Sequence, residues 1–144
     1  MADRTQKALA EFVSEAQETI DALGRDVMRL ESAGDDPDPD LVNAVFRAAH
    51  TLKGLSSMFG VERMARLAHA LEDLLDDVRM GRRALDRDSA DLLLEAPEVL
   101  SRIIAEEASG EPPRTADAAA RLTDRLRAGS GARGAPAADP LDAL

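Results

Sequence analysis

The sequence predicts an all-α protein: an antiparallel, up-down four-helix bundle with a short fifth C-terminal helix and a flexible tail. Three observations predict it. Apolar residues recur at spacings of three and four along four long segments, the period of helices with one buried face. No segment shows the strict apolar/polar alternation of a half-buried strand. Aromatic residues make up only 2% of the 144 residues, with no Trp and no Tyr, so Leu, Ala, Val, Ile and Met must build the core; such side chains favour helical cores.

The first helix is expected over about Thr5 to Ser32, with Leu9, Val13, Ala16, Ile20, Leu23, Val27 and Leu30 as its packing seam. Gly34 and Asp35-Asp36-Pro37-Asp38-Pro39 end it. The second helix opens at Asp38-Pro39, an N-cap residue followed by Pro at the first helical position. Leu41, Val42, Val45, Phe46, Ala49, Leu52, Ser56 and Phe59 share one face of it, and Gly60 stops it. The third helix spans about Val61 to Met80, with Met64, Leu67, Ala68, Leu71, Leu74, Leu75 and Val78 buried, and ends at Gly81. The fourth starts after an Asp86 cap and carries Leu92, Leu93, Val99, Leu100, Ile103 and Ile104. Pro97 inside it is expected to kink or split the helix. After Gly110-Glu111-Pro112-Pro113, a Thr115 cap opens a short fifth helix with Leu122 and Leu126, expected as an appendage to the bundle. Residues 129–144 read as a flexible linker, Gly129-Ser130-Gly131-Ala132-Arg133-Gly134-Ala135-Pro136 being its core. The chain thus divides into a domain over residues 1–128 and a linker that leads toward the rest of a longer protein.

Composition narrows the function. A net charge of −10 argues against nucleic-acid phosphates and anionic membranes as partners. The chain has no Cys, which excludes disulfides, zinc–thiolate sites and thiol catalysis. No apolar run approaches the roughly 20 residues of a membrane span, and Met1-Ala2-Asp3-Arg4-Thr5 lacks the apolar core of a signal peptide. A cytoplasmic protein is expected. No glycine-rich phosphate loop, nucleophile elbow or nucleotide fingerprint is present, so no cofactor is expected on this domain.

His50, one of only two histidines, is the residue that carries chemistry. The 3.6-residue period sets it about 120° from the centre of the apolar face of the second helix, on the side shared by Asn43, Arg47 and Gly54. An exposed imidazole is ordinarily a solvated surface group, but it is also a nucleophile. Lys53, at i+3, is either a solvated charge or the cation for a phosphoryl oxygen. Gly54, at i+4, costs about 1 kcal/mol in a helix interior and points away from the apolar stripe, as a position would where a partner's backbone comes close. Glu72 on the third helix is either one more surface acid or, if the second and third helices are antiparallel neighbours, the acceptor of a hydrogen bond from His50 Nδ1 that frees Nε2 to attack. His69 either joins that network or is a surface residue. No metal site is expected: di-metal bundles need Glu-x-x-His on two helices plus two further Glu, and here there is one pair in the reverse order, His69-Ala70-Leu71-Glu72.

The run Phe46-Arg47-Ala48-Ala49-His50-Thr51-Leu52-Lys53-Gly54, followed by Met58-Phe59-Gly60, resembles the histidine phosphotransfer (HPt) domain. With His69-Ala70-Leu71-Glu72-Asp73-Leu74-Leu75-Asp76 and Arg79-Met80-Gly81, it resembles more narrowly the N-terminal phosphotransfer domain of chemotaxis-type histidine kinases of the CheA kind, over about residues 5–128. The resemblance implies an HPt-like four-helix bundle with His50 as phosphoacceptor, Glu72 orienting and polarising it, Lys53 offsetting phosphate charge and His69 supporting the network. Partner docking is expected through Gly54, Asn43 and Arg47, which share the exposed side of His50. The resemblance also implies a separate CheA-type kinase domain that uses ATP and Mg²⁺ to load His50, and CheY-like or CheB-like receiver domains that take the phosphoryl group onto an aspartate. This chain would then be the phosphoryl carrier of a two-component system, without the ATP-binding catalyst, and a monomer when isolated. Two departures from the family pattern stand out: Leu55 where a small residue is usual after the Gly, and Pro97 in the fourth helix. The rival to this reading is a non-catalytic helical docking module that binds receivers.

Overall fold

Short connections dictate the path of the chain. The computed structural model describes residues 2–33 and 37–138, with side chains over 5–33 and 37–128. They form α1 (Ala2–Ala33), α2 (Pro39–Met58), α3 (Glu62–Arg79), α4 (Arg87–Ser109) and α5 (Ala116–Ala138), with no strand among the described residues. The expected stop at Gly34 lies, with Asp35 and Asp36, outside them. Asp38 caps α2 by accepting from the Asp40 N–H at 3.0 Å, with Pro39 at the first turn. Asp86 caps α4 by accepting from the Ser89 N–H at 2.8 Å. Gly60 (φ 72°) and Gly81 (φ 75°) leave α2 and α3 in the left-handed region that favours glycine, so the chain can reverse within a few residues.

Residue numbers run in opposite senses across each paired interface. His50 meets Glu72 while Phe46 meets Arg79 across α2 and α3. Gln17 bonds Ser101 at 3.2 Å while Gly24 faces Pro97 across α1 and α4. Glu106 bonds Thr115 while Glu95 pairs with Arg125 at 3.1 Å across α4 and α5. These pairs are therefore antiparallel. The seams are filled by the expected aliphatic residues: Ile20, Leu23, Leu52, Leu67, Leu71, Leu74 and Leu100 are all essentially inaccessible to solvent. Each such side chain contributes about 1.5–3 kcal/mol by burial. Phe12, absent from the expected seam, is buried as well and its ring lies 4.7 Å from that of Phe59.

Three expectations are corrected. First, α5 is no appendage. It packs along α3 and α4, which touch one another little, and buries Ala119, Leu122 and Leu126 in the common core. The reason lies in α3, whose buried arc includes Ala70 as well as Met64, Leu67 and Leu71; an arc that wide needs α5 on one side and α2 on the other. Nor is α5 short: its backbone stays helical to Ala138, through most of the segment expected as a linker, while residues 139–144 lie outside the described ones. All three of its core residues precede residue 128. Second, Pro97 does not split α4, which is one helix from Arg87 to Ser109. Its ring lies against Gly24 of α1, where even an added Cβ would find Pro97 Cβ at 3.6 Å. Third, the Thr115 side chain does not cap α5. Its Oγ1 and its N–H both donate to the buried Glu106 of α4, which also accepts from Arg63 Nη2 at 3.3 Å.

Candidate functional site

α2 and α3 have the most extensive mutual packing in the bundle, and the polar cluster sits on the rim of that seam. His50 follows the buried Ala49 and precedes the buried Leu52, so the helical period turns it outward; its side chain is 63% exposed. Glu72 lies on the flank of the α3 stripe, where it is buried. Across the rim His50 Nδ1 bonds Glu72 Oε2, and Lys53 Nζ donates to Glu72 Oε1 at 2.6 Å. One carboxylate thus holds both residues of α2 that the sequence singles out.

Electrostatics define the protonation of this cluster. Burial alone would raise the Glu72 carboxyl, but the hydrogen bonds and charges of Lys53 and His50 outweigh it and hold the group below its ordinary value. An ionised carboxylate can only accept. The hydrogen on His50 Nδ1 must therefore point at Glu72, which leaves the lone pair of a neutral imidazole on Nε2, facing solvent.

The remaining expected residues divide. Gly54 is exposed, and a Cβ built there meets nothing within 4 Å, so the helix surface beside His50 is open. Arg47 is exposed and Asn43 half-buried on the same side of α2. His69 does not join the His50–Glu72–Lys53 chain of bonds. It faces along its own helix, with Nε2 3.6 Å from Asp73 Oδ1. His69, Glu72 and Asp73 form the one group among the described residues that could offer three metal-ligating atoms, all within 4.8 Å of one another. Both Glu72 oxygens, however, already accept from Lys53 and His50.

The sequence reading missed two residues. Phe46, counted only as core, stacks near-parallel to the His50 ring (16°, centroids 6.3 Å apart). Arg79 lies over the Phe46 ring, its guanidinium carbon 4.0 Å from the ring centroid. Together with His50, Lys53 and Glu72 they line an open groove of about 480 Å³ between α2 and α3. The signal was there in part: Phe46 is one turn before His50, and Arg79 stands at the end of the helix that carries Glu72.

Known proteins are similar to this chain in sequence and in fold. The chemotaxis protein CheA of Borreliella burgdorferi is 37% identical over 101 residues, 69% of this chain and 11% of that protein. CheA of Treponema pallidum is 33% identical over 132 residues, 90% of this chain and 16% of that protein. The chain therefore spans only a small part of these relatives. Among solved structures, the phosphorylated P1 domain of CheA3 in complex with CheY6 from R. sphaeroides has a TM-score of 0.74 and 29% identity, covering 86% of this chain and 95% of that one. The Hpt domain family matches residues 7–106, from the first turns of α1 through Glu106 of α4 and so across the whole His50 cluster. The chain belongs to the Hpt domain family.

Proposed function

We propose that this domain is a phosphoryl carrier of a CheA-like signalling kinase, with His50 Nε2 as the acceptor atom. The observation that carries the reading is the Glu72 bond to Nδ1, which fixes the tautomer and turns a free Nε2 lone pair to solvent. Nε2 attacks the γ-phosphorus of ATP held by a separate kinase domain with its Mg²⁺. The bond from that phosphorus to the β,γ-bridging oxygen breaks, and ADP leaves with its electron pair. Nδ1–H stays on Glu72, whose negative charge offsets the positive charge the ring develops. In the second step an aspartate oxygen of a receiver domain attacks the phosphorus, and the N–P electron pair returns to Nε2. The relative with CheY6 bound is a phosphorylated P1 domain, which supports receivers as the partner class. Residues 1–128 act as the carrier domain, monomeric when isolated. No helix among the described residues is long and apolar enough to cross a membrane, which agrees with a cytoplasmic site of action.

With a CheA-type kinase core, ATP and Mg²⁺, the wild-type chain is expected to take up acid-labile phosphate and His50→Gln to take up none. Label that persists in His50→Gln would overturn the assignment. Gly54→Ala provides a second test. Its methyl group enters open space, so the bundle should be stabilised, by up to about 1 kcal/mol from helix propensity. Transfer to a receiver should nevertheless slow, because that methyl stands where the partner's backbone approaches. Unchanged transfer would remove Gly54 from the docking surface.

A further inference from the structure

The His50 ring is held by more than Glu72. One turn earlier Phe46 lies near-parallel to it, and Phe46 is in turn covered by the guanidinium of Arg79 at 4.0 Å. Arg79 Nε also donates to Asp76 Oδ1 at 2.8 Å. Asp76 also accepts from Arg82 at 3.1 Å. A chain of contacts therefore runs from the C-terminal end of α3, through an aromatic ring on α2, to the imidazole. A cation over an aromatic face is attracted to it, and a ring so covered has less freedom to turn about its side-chain torsions. Glu72 restrains the imidazole at one atom, which leaves rotation about that bond open; a wall beside the ring restricts that rotation.

We infer that Arg79 is a positioning residue for phosphoryl transfer: by stacking on Phe46 it keeps that ring beside His50 and so keeps Nε2 aimed out of the groove. The inference rests on His50 being the phosphoacceptor. Three features set it apart from a general role of Arg79 at a helix end. It acts through Phe46, it does not require Asp76, and a different cation can partly replace the guanidinium.

The test is a double-mutant cycle on the full chain, read as the rate of His50 phosphorylation by a CheA-type kinase core with ATP and Mg²⁺. Arg79→Gln and Phe46→Leu are each expected to slow labelling by about two- to fivefold, the range of a single cation–π contact. The double variant should be no slower than the slower single one. Arg79→Lys should recover part of the rate, and Asp76→Asn should leave it unchanged. In the unphosphorylated protein, the Hε1 and Hδ2 resonances of His50 should move in Arg79→Gln and Phe46→Leu, and stay in place in Asp76→Asn. Additive losses in the double variant, a wild-type rate for Arg79→Gln, or His50 resonances indifferent to Arg79 would each overturn the inference. Failure of the wild-type chain to label would instead overturn the phosphoacceptor reading, and the resonance shifts would still report on the stack. A variant that unfolds is recognised by its loss of helical circular dichroism; Arg79→Lys, which keeps the charge at the helix end, then decides the point through the same resonances.

Discussion

Glu72→Ala is expected to slow phosphorylation of His50 by roughly tenfold to a hundredfold, at or below the low end of what a group that itself transfers the proton contributes, because Glu72 only orients and polarises the ring, while the bundle stays folded. Among the described residues the carboxylate is the only group that bonds both His50 and Lys53. Without it Nδ1 and Nε2 can exchange the proton, the ring can turn, and the charge formed on the imidazole lacks its partner. The fold should survive because Leu71, Leu74 and Leu75 beneath it are fully buried and remain. Stopped-flow or quenched labelling measures the rate, and circular dichroism the fold. A wild-type rate would remove Glu72 from the mechanism. The same carboxylate has a pH signature. Its folded value is depressed, so its pairing with His50 and Lys53 stabilises the protein above the ordinary glutamate value of about 4.3. That contribution is lost as pH falls through the lower folded value. Its carboxyl carbon should titrate below 4.3 by NMR, and Lys53→Met should raise the midpoint, since burial then meets less opposition. A midpoint unmoved by Lys53→Met would show that Lys53 does not sustain the charge.

The second large effect concerns the frame. Glu106→Ala is expected to cost about 2–3 kcal/mol, the scale of leaving buried donors to a charged group unmet. It removes the acceptor of the Thr115 N–H at 3.0 Å, of Thr115 Oγ1 and of Arg63. Arg63 can fall back on Glu107 at 3.1 Å, but the buried Thr115 has no such recourse among its described bonds. Burial would raise the Glu106 carboxyl; the Thr115 and Arg63 bonds outweigh it and hold it low. The clamp is therefore complete above the ordinary glutamate value and weakens as pH falls through the folded one. Urea unfolding should show the loss, and amide exchange in α5 should quicken before that in α1. An unchanged midpoint, with α5 amides as protected as before, would mean that apolar packing alone docks α5.

What could be read in the sequence was local or periodic. Asp38 before Pro39, Asp86 three residues before Ser89, and the glycines at 60 and 81 act through their own neighbours, so they marked the helix ends correctly. The 3.6-residue period likewise put His50 outside and Glu72 on a flank. What escaped depends on how helices meet. Thr115 has the chemistry of a cap, yet Glu106 of a neighbouring helix outcompetes its own N-terminus. Leu122 and Leu126 alone did not reveal that α3 and α4 leave a gap for α5. Phe12 escaped for a different reason: three residues after Leu9 and four before Ala16, it lies on the helical period, but the seam was drawn through Val13, which is only half-buried. His69 pairs with Asp73 because both lie on the outer face of α3, one turn apart. Pro97 stays within one continuous helix and sets its ring beside Gly24 of α1, a neighbour that no local rule identifies.

The most direct measurement is the nitrogen that carries the phosphoryl group. In ¹⁵N-histidine-labelled protein phosphorylated by a kinase core, Nε2 of His50 should show coupling to phosphorus, with Nδ1 still protonated toward Glu72. A phosphoryl group on Nδ1 of His50, or on His69, would contradict the proposed chemistry.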